Sequence, residues 1–310
     1  QKFGMIQTPM RFVQVNLNGS SPMVYLEIEH WTKEMLEKQG LSGDSDFYKT
    51  SFGAPVFENV AYWEKYETSG VRPLDSLEEM EMLRHLAMPG ARHSPGFEDH
   101  VSSLFIKEEL LAWYTNIMLA GSYHNEGDNL RFYFDTTRGK LRPIPWDIHL
   151  FTPSAFLITQ INGFLQELFR IPEWYLEGQK TLYAYLEENA EIDIQKTASL
   201  RKDVERAVYR DRYKLMSNRL AKQGFNTFQS LIEDNINFLQ KELKESSALV
   251  NQRVATESER SNNLLMTIDI TSLGATPGSL SKVHLPIHLS DSIHNDEISL
   301  WRDYGSGIFD

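Results

Sequence analysis

The chain has 310 residues, 41% of them hydrophobic, and its 17 Phe, 13 Tyr and 6 Trp exclude disorder over most of the length while sufficing for one large core or two smaller ones. A formal net charge of -12 without a dense Lys/Arg run argues against a nucleic-acid partner and would favour basic protein partners. There is no cysteine, so disulfides and thiolate chemistry are excluded and any metal must be held by carboxylates, histidines or carbonyls; no apolar run is long enough to span a bilayer.

Residues 12–17 alternate apolar and polar with the period of a strand, Asn18-Gly19 is a tight-turn signal, and residues 23–29 alternate again. A β-hairpin is predicted there. Thr32 is placed to cap a short helix running through Lys38, which Gly40 and Gly43 break. Residues 46–49 read as another short strand, and residues 1–72 together as a small β-rich lobe.

From Pro73 the period becomes helical. Residues 74–88 carry Leu77, Met80, Leu83 and Leu86 at helical spacing and stop at Pro89-Gly90. A loop over 89–96 leads to a second helix over about 100–119, then to a polar, glycine-punctuated stretch at 120–128. Residues 130–134 and 141–144 flank a Thr-Arg-Gly turn, so a second hairpin is predicted, closed by Pro145-Trp146-Asp147. Helical patterns run from 156 to about 250 with a break at Gly224, completing a helical lobe over 73–255. Residues 264–270 and 283–289 look like strands around a Gly/Pro/Ser-rich linker, so 256–310 reads as a β segment, the start of a sandwich-like module. The fold class is α+β. The chain starts at Gln1 and ends at Asp310, which suggests a processed chain or a fragment, so compartment is not readable from a leader.

Three segments together carry a resemblance. One is Asn18-Gly19 followed by Val24-Tyr25-Leu26-Glu27-Ile28-Glu29; another is Asp46-Phe47-Tyr48-Lys49. The longest begins at Gly121-Ser122-Tyr123-His124-Asn125-Glu126-Gly127-Asp128-Asn129. It continues through Arg131-Phe132-Tyr133-Phe134-Asp135 and Gly139-Lys140 to Pro143-Ile144-Pro145-Trp146-Asp147. In this order, over about residues 12–215, they resemble the CotH family of spore-coat and surface protein kinases. The resemblance implies a kinase-like two-lobe fold, ATP and Mg²⁺ as cofactors, and phosphoryl transfer to Ser or Thr of a protein at the cell or spore surface or outside the cell. The family usually carries an Arg-Gly-Asn-Ser-like nucleotide-binding stretch upstream, so the small lobe is expected to be N-terminally truncated. His124 stands near the usual acidic loop residue, and His149 where a second Asp follows Pro-Trp-Asp.

Phosphoryl transfer is mostly positioning and charge neutralisation. Under the resemblance Lys49 touches the nucleotide phosphates; Glu29, or Glu27 on the same strand face, holds that lysine across adjacent strands. Asp147 carries the metal, with Asn129 as a second metal or phosphate contact. The base comes from Asp128, Glu126 or His124, with Asp128 favoured beside Asn129. Without the resemblance, Lys49 is a strand-end lysine snorkelling to solvent, and Asp147 a turn residue.

Two rival readings stay open. His124 and His149 suit a pseudokinase that binds partners without turnover. With Asp147 they would also suit a metal-dependent hydrolase, since Asp147 and His149 share a face of an extended chain. Trp63, Trp113, Trp174 and Trp301 are read as packing residues, Leu231, Asn235, Phe238 and Leu239 as one apolar helix face, and His284, His288 and His294 as unremarkable.

Overall fold

The computed structural model describes residues 4–50, 63–67, 77–87, 96–122, 129–148, 165, 168–169, 171–244, 248–256 and 264–272. The chain divides into one unit of Gln1–Gly278 and a second of Ser279–Asp310. All the described residues belong to the first; the strand expected at 283–289, Trp301 and the three C-terminal histidines lie outside them. The fold is mixed α and β, as expected.

The first hairpin forms from strands β1 (Met10–Val15) and β2 (Met23–Ile28), paired antiparallel from Met10 opposite Ile28 to Val15 opposite Met23. Its tip turns because Asn18 and Gly19 both take positive φ, 50° and 76°, and Ser20 N–H closes the turn on the Leu17 carbonyl at 2.8 Å. Helix α1 (Lys33–Lys38) starts where Thr32 caps it, the Thr32 hydroxyl accepting from Met35 N–H at 3.3 Å.

The central sheet is four-stranded, with strand order β4-β3-β5-β6 and every pairing antiparallel. It comprises β3 (Asp46–Thr50), β4 (Trp63–Glu67), β5 (Arg131–Asp135) and β6 (Lys140–Pro143). β4 is absent from the sequence reading. The sheet joins a segment of the expected small lobe to the hairpin expected in the helical lobe, with Lys49 opposite Arg131 and Phe132 opposite Pro143.

The helices are α2 (Glu78–Ala87), α3 (Phe97–Leu104), α4 (Lys107–Ala120), α5 (Pro172–Arg210) and α6 (Asn218–Lys244). Two of them replace the single helix expected over 100–119, which Phe105 interrupts in extended conformation (φ -122°, ψ 160°). The expected break at Gly224 is not there: Gly224 lies inside α6, and the chain turns after Arg210 instead. Asp211 makes that turn by accepting Tyr213 N–H at 2.8 Å and Val24 N–H at 3.0 Å, which also ties β2 to the end of α5. Helical structure ends at Lys244, not near 250; Ala248–Thr256 is a strand, β7, paired along nine residues with β8 (Leu264–Ser272). Among the described residues no helix is long and apolar enough to cross a membrane.

Two cores cover the two faces of the central sheet. On one face Tyr48, Trp63 and Phe132 pack with α2 to α6, where Trp113 and Trp174 are buried and Asn235 and Leu239 form the expected inward helix face. α4 is buried on most sides, as its run of apolar residues requires. On the other face Phe47, Tyr133 and Ile144 pack with Ile6, Trp31 and the α1 residues Met35 and Leu36. Period two assigns the strand residues to these faces.

Candidate active site

The hairpin β5–β6 is built rigidly. Asp135 ends β5 and shapes the turn, its carboxylate accepting Thr137 N–H at 3.1 Å and Arg138 N–H at 3.3 Å, while Gly139 takes φ 63°. Arg142 of β6 is buried with Asp135 (3.3 Å) and with Glu109 of α4 (2.7 Å), and donates to the Gly4 carbonyl at 3.1 Å. This fixes the hairpin to α4 and to the N-terminal segment. Burial holds the Glu109 carboxyl above its ordinary range, against the opposing pull of Arg142.

Beyond Pro143 the ladder continues one step, Ile144 N–H donating to the Arg131 carbonyl at 3.0 Å. Asn129 lies two residues before Arg131, and Trp146 and Asp147 two and three residues after Ile144, so both segments leave the same open end of the hairpin. There the backbone bends sharply. Asp147 takes φ 48°, one of two non-glycine residues with positive φ among the described residues, and is half-buried. Asp and Asn tolerate this left-handed region better than other side-chain-bearing residues, and such outliers gather at functional sites.

Trp146 is held from behind. Its ring meets Trp31 edge-on at 5.1 Å, and Trp31 stacks on Phe47 at 5.7 Å and donates its indole N–H to the Thr8 hydroxyl at 2.9 Å. Next to this aromatic stack runs one row of the sheet: Glu64, Lys49, Arg131 and Ile144, neighbours across β4, β3, β5 and the start of the Pro145 turn. Lys49 Nζ lies 3.1 Å from Glu64. The Arg131 guanidinium sits over the Trp31 ring at 5.7 Å.

Of the expected residues, Lys49 lies opposite Arg131, Asn129 two positions before Arg131 and Asp147 three after Ile144, all toward the same end of the sheet. The expected pairing of Lys49 with Glu29 across adjacent strands is wrong. β2 belongs to a separate two-stranded sheet; Glu29 is ion-paired with Lys38, and the alternative, Glu27, takes the Arg11 guanidinium in two parallel bonds at 3.0 and 3.1 Å. Each glutamate finds a cation nearer in sequence, and Glu64, on the strand the sequence reading missed, supplies the carboxylate beside Lys49. His124, Glu126, Asp128 and His149 lie outside the described residues. Arg131 and Trp31 were missed altogether. The signal for Arg131 was available: a lone cation at the start of an aromatic strand that faces Lys49.

A second lysine nearby has a different environment. Lys65 of β4 is fully buried on the helical face, 3.2 Å from the buried Asp46 and over the Tyr48 ring at 5.6 Å. It serves the core rather than this corner.

Comparison with family models identifies the family. The model described as CotH kinase protein matches residues 1–267. The chain belongs to the CotH kinase family. Comparison with curated proteins found none that matches it.

Proposed function

We propose that the chain is an ATP- and Mg²⁺-dependent protein kinase of two-lobe architecture that phosphorylates Ser or Thr of a surface or extracellular protein. The observation that carries this reading is that Asn129 and Asp147 flank the same open end of the β5–β6 hairpin, with Lys49 opposite Arg131 on the next strand. Oxygen donors on the hairpin and a lysine beside them are the parts phosphoryl transfer requires.

Mg²⁺, when bound, neutralises charge on the phosphates. Asp147 would hold it, with the Asn129 amide oxygen as the second ligand. Lys49, positioned by Glu64, binds phosphate oxygens as a point charge. Trp146, whose ring meets Trp31 edge-on, anchors the residue that precedes Asp147. One of Asp128, Glu126 and His124 takes the proton of the acceptor hydroxyl; the net charge of -12 favours a basic acceptor.

The test is Asp147→Asn. Asn keeps the shape and tolerates positive φ, so the fold should survive while the charged metal ligand is lost. Expected are a melting temperature close to the parent and phosphoryl transfer from MgATP to a basic Ser/Thr protein reduced by about 10²-fold or more. A folded Asp147→Asn protein with full activity would refute the assignment. Wild-type protein that MgATP stabilises but that transfers nothing would make it a pseudokinase.

A further inference from the structure

One stretch of the chain runs against its overall charge. Residues 201–222 hold eight Lys and Arg against three Asp and Glu, a net charge of +5 in a chain of -12. They span the end of α5, the turn after Arg210 and the start of α6. Two of the three carboxylates are engaged locally: Glu205 lies 3.6 Å from Arg201, and the buried Asp211 accepts Val24 N–H and Tyr213 N–H inside the turn. Arg206, Arg210, Arg212, Arg219 and Lys222 are exposed.

Among these cations the same turn exposes apolar side chains. Leu215 is 104% exposed, so it projects wholly clear of the fold, and Tyr213, Met216 and Leu220 are 55%, 51% and 50% exposed. One exposed Leu or Met is ordinary. Four large apolar groups within eight residues, with Arg212, Lys214 and Arg219 set among them, form a patch of the kind that marks an interaction site. The turn that presents them is fixed by its own bonds. Lys214 Nζ donates to the Asp211 carbonyl at 2.7 Å, and the Ser217 hydroxyl accepts Leu220 N–H at 3.3 Å as α6 begins.

We infer that the turn of residues 211–217 docks the chain on an anionic phospholipid surface. Leu215 and Met216 enter the boundary between headgroups and acyl chains, Tyr213 lies at headgroup depth, and Arg210, Arg212 and Arg219 meet lipid phosphates. Charge and shape select this partner. Basic side chains are drawn to an anionic leaflet, and a projecting leucine needs no preformed cavity in a bilayer. A protein partner would have to supply an apolar pocket rimmed with carboxylates. One face of α6 leads inward from the turn: Leu220, Gly224, Thr227, Phe228 and Leu231 line an open groove with Ile148, the residue after Asp147. Leu220 and Leu231 are about 16 Å apart along the helix, so docking places the Asp147 corner near the lipid surface. Lipid binding requires neither nucleotide nor metal, and so stands or falls separately from the kinase activity proposed above.

The experiment is flotation of the purified chain, without nucleotide, on vesicles of phosphatidylcholine alone and of phosphatidylcholine mixed with phosphatidylglycerol, at low and high salt. Expected is partitioning onto the anionic vesicles that weakens as salt rises, with little onto the neutral ones. Leu215→Ser with Met216→Ser should lower that partitioning by about tenfold or more. Arg212→Gln with Arg219→Gln should do the same, at about fivefold for each basic residue. Leu200→Ser, an equally exposed apolar residue of α5 outside the turn, should change nothing. All these side chains are exposed, so melting temperatures should stay at the wild-type value, and the salt dependence of the wild type is read without any variant. Wild type that leaves the anionic vesicles unbound, or binds neutral ones equally well, overturns the inference, as does a loss in Leu200→Ser equal to that in the turn variants. Binding that needs the arginines but not Leu215 and Met216, and that polyglutamate displaces, would mark an acidic protein as the partner and overturn the lipid assignment.

Discussion

Truncating Trp31 tests whether the small aromatic core on one face of the sheet is what builds the site. Trp31 is 5% exposed, stacks on Phe47 at 5.7 Å, meets Trp146 at 5.1 Å, underlies Arg131 at 5.7 Å and donates to Thr8 at 2.9 Å. Burying a Trp removes up to about 250 Å² from water, worth at most about 6 kcal/mol at ~25 cal/mol per Å². Compactness of the unfolded chain lowers that by roughly 10–40%, which agrees with the usual cost of about 3–5 kcal/mol for Trp→Ala in a core. With a urea slope of about 3 kcal/mol per M, Trp31→Ala should lower the unfolding midpoint by about 1–1.7 M. Trp31→Phe retains the stack and the ring beneath Arg131 and loses mainly the bond to Thr8, a cost of about 1 kcal/mol. Activity should divide the same way: measured per folded molecule, Trp31→Phe stays within a few-fold of wild type, while Trp31→Ala falls further because Trp146 loses its support next to Asp147. The reasoning is refuted if Trp31→Ala costs less than about 1 kcal/mol, or if it is as active per folded molecule as Trp31→Phe.

Other perturbations separate packing from chemistry. Asp46→Ala deprives the fully buried Lys65 of the carboxylate at 3.2 Å and should cost about 3–5 kcal/mol in urea unfolding, whereas the double change Asp46→Leu with Lys65→Met should restore most of it. Equal losses in the single and double variants would show that charge burial is not the cause. Glu109 titrates above its ordinary 4.5 in the folded state because it is buried. The native state therefore holds its proton to higher pH than the unfolded chain, and this group's stabilising contribution, full below pH 4.5, declines as pH rises through the folded value. Glu109→Gln should accordingly gain stability relative to wild type as pH is raised from about 4 to 7. A difference that stays flat, or runs the other way, across urea titrations in that range would contradict the burial argument.

What could be read from the sequence was whatever a few adjacent residues decide. Asn18-Gly19 supplies two positive φ values, Thr32 supplies a cap, and the Thr-Arg-Gly turn needs only Asp135 and Gly139 to close. Each was legible. Strand β4 was not, because Trp63-Glu64-Lys65-Tyr66-Glu67 looks like a solvated stretch until Asp46, far away in sequence, pairs with the inward Lys65. Gly224 looked like a break because glycine lowers helix propensity by about 1 kcal/mol, a local penalty that a 27-residue helix packed on α5 outweighs. The true break at Asp211 depends on a hydrogen bond that it accepts from Val24 N–H, a partner 187 positions away. β7 was misread as helix for a similar reason: its nine-residue partner lies beyond a connection that carries no periodic signal.

The candidate site divides along the same line. The shared end of the sheet at which Asp147 and Asn129 lie was legible because one short hairpin, with its own turn, decides it. Lys49 was legible only as a residue type, since its neighbours are set by the order of four strands drawn from two distant segments. Guessing Glu29 as its partner assumed that consecutive strands pair, and the consecutive strands here lie in different sheets. The true order instead sets Lys49 between Glu64 and Arg131 in one row of the central sheet, a neighbourhood that only the pairing of β4, β3 and β5 creates.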